Sequence, residues 1–304
     1  MRVLFLGTPD FALPSLRAIL SSRHEVIGVI TQPDKQGKHL VMTPPAVKVE
    51  AEKLGLPVYQ FASLRKEGVE LVRALAPDVM VTAAFGQILS RELLALPKHG
   101  VFNVHGSLLP KYRGASPIQS CLLNGDSETG VTIMRTDYEV DSGDIILKKV
   151  IPILPEDNAG TLFDKIASLG AEGIVEALDL LERGEITYTP QDASQATFCK
   201  MIEKADAEIF ASTAATQALN MVRAYTPWPV AFITVEGGRL KIFGAEAADK
   251  KGEKGSFYAE NDELYLNLAD AAIHLLSVQA EGKKRMSGRE YLIGHRSITE
   301  KRIW

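Results

Sequence analysis

In the first part of the chain, short apolar runs alternate with segments whose apolar residues recur at helical spacing. The runs predict strands over residues 3–7, 25–31, 58–60, 78–83 and 101–104. The other segments predict helices over residues 13–22, 46–54, 64–75, 90–95 and 117–123. Strands rich in Val and Ile that alternate with helices are typical of an α/β fold with a doubly wound, mostly parallel sheet. Two closely spaced strands, over 130–135 and 145–153, are expected to extend this sheet as an antiparallel pair.

The pattern changes after a long amphipathic helix predicted over residues 161–182. Residues 185–205 are polar and contain proline, which is typical of a linker. A predicted helix over 213–225 is followed by short strands over 231–236, 240–243, 255–258, 264–268 and 273–279. Short strands separated by turns favour a small β-barrel of the OB type. We therefore predict two domains, residues 1–189 and 206–304, joined by a linker over residues 190–205.

Composition and charge narrow the functional classes. The 304 residues carry a net charge of −4, which does not indicate a nucleic-acid-binding protein by bulk electrostatics. Residues 281–302 nevertheless hold seven basic side chains against three acidic ones, which predicts a local basic patch. Only Cys121 and Cys199 occur, without metal-ligand spacing, so neither a disulfide framework nor a zinc site is indicated.

The first apolar run does not resemble a targeting segment. Pro9 and Asp10 interrupt it too early for a signal peptide. No apolar run approaches the roughly 18 residues that a membrane span needs. We therefore expect a cytoplasmic enzyme that does not enter a membrane.

Polar side chains gather at the end of the predicted strand 101–104. Period-two alternation places Asn103 and His105 on one face, at the carboxyl end of this strand, next to a loop that can hold polar groups for chemistry. With Asp141 further along, the chain offers an acid–base group, an uncharged donor and an orienting anion, which are the roles that acyl transfer needs. Neither a dinucleotide-binding glycine motif nor a phosphate-binding loop is present.

This constellation resembles the formyltetrahydrofolate-dependent formyltransferase family. The matching features are Asn103, His105, the Ser-Leu-Leu-Pro run at residues 107–110, and Asp141, which stands 38 residues after Asn103 as in that family. The resemblance implies a Rossmann-like catalytic domain followed by an OB-like domain.

Further motifs extend the resemblance over nearly the whole chain. They are Gly-Thr-Pro-Asp-Phe-Ala at residues 7–12, Gln-Pro-Asp at 32–34, Thr-Pro-Trp-Pro at 226–229 and Gly-Lys-Lys-Arg-Met-Ser-Gly at 282–288. The last two lie in the second domain, which the hydrolase and glycinamide-ribotide relatives do not share. They favour the branch of the family whose substrate is initiator methionyl-tRNA.

The resemblance also implies a co-substrate, a partner and roles for individual residues. The co-substrate would be N10-formyltetrahydrofolate, without a metal, and Asn103, His105 and Asp141 would be catalytic. The folate would contact Ala84, Phe85, Gly86, Ile88, Leu89, Ser107, Leu108, Leu109, Pro110, Ser142, Gly143 and Asp144. The tRNA would contact Lys35, Lys38, Arg113, Lys204, Lys283, Lys284 and Arg285. We expect the enzyme to be a monomer.

Two other functions stay open at this point. One is formyl transfer to a sugar-amine nucleotide or to glycinamide ribotide, which a lone first domain would favour. The other is a non-catalytic RNA-binding module, which loss of Asn103, His105 or Asp141 would favour. The chain also departs from the family in residues 35–42, because Lys35 and Lys38 supply positive charge there but not the bidentate fork of an arginine.

Overall fold

The chain folds into two compact units. The structure is a computed structural model that describes residues 1–36, 42–236 and 238–304. The first unit comprises Met1–Pro117, Glu128–Pro152 and Phe163–Cys199, and the second comprises Ile118–Ser127, Ile153–Leu162 and Lys200–Trp304. Two short segments from the region predicted as the first domain therefore belong to the second unit.

The first unit is built on a seven-stranded sheet with the order β10-β9-β7-β6-β1-β2-β5. Its strands are β1 Arg2–Gly7, β2 Glu25–Thr31, β5 Val58–Gln60, β6 Val79–Ala83, β7 Val101–His105, β9 Glu128–Arg135 and β10 Ile145–Pro152. The strands from β5 to β7 pair in parallel, whereas β9 is antiparallel to both β7 and β10. The doubly wound, mostly parallel sheet with an antiparallel extension is confirmed.

Helices connect successive strands of this sheet, and one further helix follows its last strand. They are α1 Leu13–Leu20, α2 Ala46–Lys53, α3 Leu64–Glu67, α4 Val69–Leu75, α5 Arg91–Ala95, α6 Pro117–Leu123 and α7 Ala159–Arg183. The single helix predicted over 64–75 was wrong, because the chain breaks at Gly68 into two helices. Glycine has a low helix propensity, and a Cβ at this position would meet Leu64 Cδ1 at 2.1 Å.

The central strands are buried on both faces of the sheet. Val3, Leu4, Phe5 and Leu6 of β1 are fully buried in succession, as is the Val79–Val81 part of β6. A parallel sheet covered by helices on both faces needs apolar residues at every position. This is why these strands appear in the sequence as continuous apolar runs.

Two short strand pairs lie outside the main sheet. The strands β3 Lys35–Gln36 and β4 Met42–Thr43 form one pair, which is antiparallel. The strands β8 Arg113–Gly114 and β11 Phe198–Cys199 form the other, which is parallel. Since β11 falls within residues 190–205, part of the segment predicted as a linker is paired with the first unit.

The second unit contains a six-stranded antiparallel sheet and its own hydrophobic core. The strands are β12 Phe232–Val235, β13 Gly238–Ala248, β14 Phe257–Glu260, β15 Glu263–Asn267, β16 Ala272–Ala280 and β17 Met286–Ser287, and the helices are α8 Ala215–Ala224 and α9 Gly288–Gly294. The strand β13 shifts register around Gly244, and such bulges bend a strand and increase its twist. Within the part of the chain that the structure describes, β12 and β14 lie at the two ends of the strand order and do not pair with each other, so the sheet is an open, OB-like half-barrel.

No described helix is long and apolar enough to span a bilayer.

Candidate active site

The predicted catalytic residues of the first unit converge beyond the carboxyl ends of β6 and β7. Ligands of open α/β sheets bind at this edge. Three segments meet there, at residues 84–90 after β6, 106–112 after β7 and 136–144 between β9 and β10. Each of the three predicted catalytic side chains is held by specific neighbouring groups.

Asn103 lies on β7 opposite Thr82 of β6, and it is half-buried. The Thr82 hydroxyl donates a hydrogen bond to Asn103 Oδ1 over 2.9 Å. Among the described residues, no group accepts a hydrogen bond from Asn103 Nδ2. The carboxamide is therefore anchored through its oxygen and keeps an uncharged N–H donor for a ligand.

His105 ends β7, and only 6% of its surface is exposed. Its Nε2 atom lies 3.0 Å from the carbonyl oxygen of Tyr112. A carbonyl can only accept, so Nε2 must carry the hydrogen in this contact. With the hydrogen on Nε2, Nδ1 is the ring nitrogen that can accept a further proton. The Tyr112 carbonyl is presented by a left-handed backbone with φ 61°.

Asp141 faces that nitrogen. Its Oδ2 atom lies 3.6 Å from His105 Nδ1, which is too long for a hydrogen bond. The two groups form an ion pair at this distance only when the ring carries a second proton. The same oxygen accepts a hydrogen bond from the Gly114 backbone N–H at 2.8 Å. Asp141 also has a left-handed backbone, with φ 49°.

Gly114 is required by this arrangement. Its φ is +120°, and a Cβ would lie 2.2 Å from the carbonyl oxygen of Cys199. A side chain at this position would therefore separate β8 from β11. It would also displace the N–H that holds the Asp141 carboxylate.

The segment 107–110 belongs more to the scaffold than predicted. Thr132 on β9 is fully buried, and its hydroxyl donates to the Ser107 carbonyl at 2.7 Å and accepts from the Leu109 N–H at 3.1 Å. Ser107 and Leu109 are themselves buried, so the prediction that they contact folate directly does not fit their position. Leu108 and Pro110 are partly exposed.

The segment 84–90 presents backbone and apolar groups at its surface. Ala84 and Gly86 are exposed and left-handed, and Ile88 is 65% exposed. Thr8 Oγ1 and Gln32 Nε2 both donate to the Phe85 carbonyl, over 2.9 and 3.0 Å. Phe85 and Leu89, also predicted to bind folate, are buried and fix the segment from below.

The segment 136–144 adjoins the start of α5. The Arg91 guanidinium lies 4.3 Å above the centre of the Tyr138 ring, and Val140 is 61% exposed. Gly143 is buried, and a Cβ on it would lie 1.8 Å from the Arg135 carbonyl. Ser142 and Asp144 are partly buried. The segment is thus tightly packed at Gly143, and its exposed tip carries Tyr138 and Val140 beside the acidic Asp137 and Glu139.

Arg113, which was predicted to contact tRNA, is mostly buried, and the contact stays a prediction. Only 7% of Arg113 is exposed, and its Nε and Nη2 atoms donate to Gln191 Oε1 over 3.1 and 2.8 Å. Gln191 was not predicted as a site residue, and neither were Thr82 and Thr132. No local motif marks these residues, because their partners are distant in the chain.

The other residues predicted to contact tRNA lie on the surface wherever the structure describes them. Lys35 on β3 and Lys204 are exposed in the first and second units, respectively, and Lys38 lies outside the described residues. Lys283, Lys284 and Arg285 are exposed between β16 and β17. Arg285 donates to Ser277 Oγ at 2.7 Å and lies 4.5 Å above the centre of the Phe243 ring.

The base of the β3–β4 pair is held by an ion pair. Lys48 Nζ lies 2.9 Å from the Asp34 carboxylate, and Gln60 Nε2 donates to the same group. Hydrogen bonds from Gln60 and Lys48 hold the pKa of Asp34 below its usual range. Asp34 therefore remains a carboxylate that anchors the segment just before Lys35.

Among the residues that the structure describes, no group of three or more His, Cys, Asp or Glu side chains is arranged to hold a metal ion.

Comparison with known proteins places this geometry in a family. Residues 1–178 match the family described as formyl transferase, and residues 201–296 match the formyl transferase C-terminal domain. The chain belongs to the formyl transferase family. The methionyl-tRNA formyltransferase of Geobacter sulfurreducens is 42% identical over 299 residues, which cover 97% of this chain and 94% of that protein.

Two solved structures share the fold at low sequence identity. WlaRD, a sugar 3N-formyl transferase solved in the presence of dTDP and 5-N-formyl-THF, is 21% identical with a TM-score of 0.69, and the match covers 93% of this chain and 99% of that one. HypX from Aquifex aeolicus, solved in complex with tetrahydrofolic acid, is 18% identical with a TM-score of 0.63. That match covers 98% of this chain and 47% of the HypX chain, so this protein spans about half of its length.

Proposed function

We propose that the protein transfers the formyl group of N10-formyltetrahydrofolate to the α-amine of the methionine carried by initiator tRNA. The observation that carries the proposal is the convergence of Asn103, His105 and Asp141 at one edge of the sheet. The near full-length likeness to methionyl-tRNA formyltransferases supports the choice of substrate. Because no metal centre is part of the proposal, the chemistry rests on these three side chains.

Asn103 is proposed to stabilise charge on the formyl oxygen. In the reaction, the amine nitrogen bonds to the formyl carbon, the bond from that carbon to N10 breaks, and a proton moves from the amine to N10. Negative charge grows on the formyl oxygen as the amine attacks. The unpartnered N–H of Asn103 can donate to that oxygen, and one such donor is typically worth about 3 kcal/mol.

His105 is proposed to carry the proton. With Nε2 committed to the Tyr112 carbonyl, Nδ1 can take a proton from the amine and deliver it to N10. The Asp141 carboxylate, 3.6 Å away, complements the positive charge that the ring gains in doing so. Its hydrogen bond from Gly114 keeps the carboxylate directed at the ring.

The folate is proposed to lie between the segments 84–90 and 136–144. Exposed backbone at Ala84 and Gly86 suits the amide-like edge of a pterin, and the exposed side chains of Ile88 and Val140 suit its flat faces. The other residues predicted to contact folate that are partly exposed are Leu108, Pro110, Ser142 and Asp144. Phe85, Leu89, Ser107, Leu109 and Gly143 would support them from within.

The tRNA is proposed to contact basic side chains of both units. The set is Lys35, Lys38, Lys204, Lys283, Lys284 and Arg285. We also propose that the enzyme acts in the cytoplasm as a monomer, for which light scattering of the purified protein is the direct measurement.

Formyl transfer to an amino sugar is the second candidate, because a sugar formyltransferase shares the fold over 93% of this chain. The test is incubation with labelled formyl donor and, separately, initiator methionyl-tRNA, an aminosugar nucleotide or glycinamide ribotide. We expect label to be transferred to the tRNA substrate alone. Label on a sugar nucleotide or ribotide, with none on tRNA, would contradict the proposed function.

A further inference from the structure

We propose that Gln191 is a positioning residue that holds residues 141–143 and thereby directs the Asp141 carboxylate at His105. This inference rests on the proposed function, because it deepens the role given to Asp141. Gln191 lies outside every motif that the sequence analysis singled out. It lies in a segment predicted to be a linker.

The Gln191 side chain joins two parts of the site through four hydrogen bonds. Its Oε1 atom accepts from Arg113 Nε and Nη2, over 3.1 and 2.8 Å. Its Nε2 atom donates to the carbonyls of Asp141 and Gly143, over 2.9 and 2.7 Å. An amide offers two N–H donors and an oxygen with two lone pairs, so the hydrogen-bonding capacity of this one is filled.

The orientation of this amide is determined by its partners. A guanidinium can only donate, so it must face the oxygen, and the two carbonyls can only accept, so they must face the nitrogen. A flipped amide would set its N–H groups against the guanidinium N–H donors of Arg113 and its oxygen against the two carbonyl oxygens. In Gln191→Glu, the carboxylate would still accept hydrogen bonds from Arg113. Its second oxygen would replace the Nε2 donor and face the carbonyl oxygens of Asp141 and Gly143.

Asp141 needs such support because its backbone is left-handed. A non-glycine residue at φ 49° is held there by its surroundings. Gly114 N–H holds the carboxylate, and Gln191 holds the backbone carbonyl of the same residue. Among the described residues, the one other hydrogen bond to Asp141 is the one from the Gly114 N–H.

The strand β8 supplies both the hydrogen bond from Gly114 to Asp141 and the hydrogen bonds from Arg113 to Gln191. Arg113 and Gly114 are adjacent residues of this strand, so the group that binds the Asp141 carboxylate and the group that orients Gln191 move together. Arg113 is buried, which protects its fork from competing water. The network therefore couples the position of β8 to the distance between Asp141 and His105.

The first measurement is steady-state formylation by Gln191→Glu. We expect kcat to fall about tenfold to a hundredfold, because small misplacement of a reacting group has effects of that size. The pH profile of kcat should change in the same direction as in Asp141→Asn. The matched control is Gln195→Glu, which makes the same replacement in the same segment at an exposed amide that donates to Asp192. We expect near wild-type kcat from it.

A double-mutant cycle then separates positioning from general structure. In an Asp141→Asn background, Gln191→Glu should cause little further loss of kcat, because the group that Gln191 positions has already been changed. An equal fold-loss in both backgrounds, or full activity of a folded Gln191→Glu, would overturn the inference. If Gln191→Glu does not fold, Arg113→Lys decides, since it removes only the fork and should show the same dependence on Asp141. Wild-type protein inactive on methionyl-tRNA would instead refute the proposed function.

Discussion

The two units of this protein use polar side chains in opposite ways. In the first, His105, Arg113 and Asp141 are largely withdrawn from solvent, and each has specific partners. In the second, Lys283 and Lys284 are exposed beside a separate hydrophobic core. Proton transfer needs groups held in fixed geometry, whereas attraction of a polyanion needs only positive charge at an accessible surface. The comparison shows which unit should be sensitive to small displacements.

Left-handed residues show the same contrast. In the first unit, Tyr112 and Asp141 take this conformation where a carbonyl or a carboxylate meets His105. In the second unit, Asn261 and Asp262 take it in the two-residue turn between β14 and β15, where a hairpin of this length favours positive φ at both positions. The same backbone state therefore occurs at the candidate active site in one unit and at a chain reversal in the other.

The largest effect is expected from removal of the polar groups of the first unit. Asn103→Ala and His105→Ala should each lower kcat by at least about a hundredfold, the effect of losing an oxyanion donor or a general acid–base group, respectively, and Asp141→Ala should also abolish most activity. The double variant of Asn103 and His105 should lose little more than the worse single one. His99→Ala, which changes a histidine just before β7, is the control in kinetics and thermal unfolding. Near wild-type turnover in any folded variant of the three would remove that residue from its role.

A smaller effect is expected from the glycine that holds the Asp141 carboxylate. Gly114→Ala should lower the free energy of unfolding by about 2 kcal/mol or more, because its Cβ would meet a backbone carbonyl at 2.2 Å and its φ is strained for alanine. Formylation should fall with it. Gly184→Ala is the matched control, since it has φ +70° with nothing within 4 Å of the added Cβ, and should lose only about 1 kcal/mol. Equal losses by denaturant titration would show that the close approach at Gly114 is unimportant.

In the second unit, we expect removal of charge to weaken binding without touching chemistry. Lys283→Ala with Lys284→Ala should raise the KM for tRNA and leave kcat nearly unchanged, as uniform binding groups do. The slope of log affinity against log salt should decrease by about 0.7–0.9 for each phosphate that is no longer neutralised. The control is Lys250→Ala with Lys254→Ala, which removes the same charge from the same unit. An equal slope in the two double variants would show that the turn between β16 and β17 has no special role.

The smallest effect concerns the stability of the second unit at alkaline pH. Burial raises the pKa of Tyr225, which is 4% exposed, from its usual value of 10 to about 12. The unfolded chain thus releases this proton first, so the stability that Tyr225 contributes is complete below pH 10 and is lost as pH rises towards 12. Between about pH 9 and pH 11, the free energy of unfolding should fall less in Tyr225→Phe than in the wild-type protein. The control is Tyr138→Phe, which changes an exposed tyrosine. Both tryptophans, Trp228 and Trp304, lie in the second unit, so their fluorescence reports its unfolding. An unchanged pH dependence in Tyr225→Phe would show that this residue does not contribute.

Much of the first unit could be predicted because burial imposes a period on the sequence. The strand over 101–104 was predicted from its alternation, and the structure extends it by one residue to His105. The prediction of a single helix over 64–75 failed at Gly68, because the apolar residues keep helical spacing on both sides of the glycine that divides the two helices. The inserted segments Ile118–Ser127 and Ile153–Leu162 could not be assigned to the second unit, because nothing local marks the unit with which they pack.

The amino-acid sequence alone was enough to predict the kind of fold and the placing of Asn103 and His105 at a strand end, since both depend on residues close together in the chain. The formyl transfer chemistry followed from motifs spread along the chain that resemble one family. The three-dimensional structure was needed to show that Arg113 is buried, that Ser107 and Leu109 are scaffold, and that Gln191 bridges Arg113 to Asp141. Those hydrogen bonds join residues 78 and 50 positions apart. No local period encodes such an interaction, because it exists only once the sheet has brought its loops together.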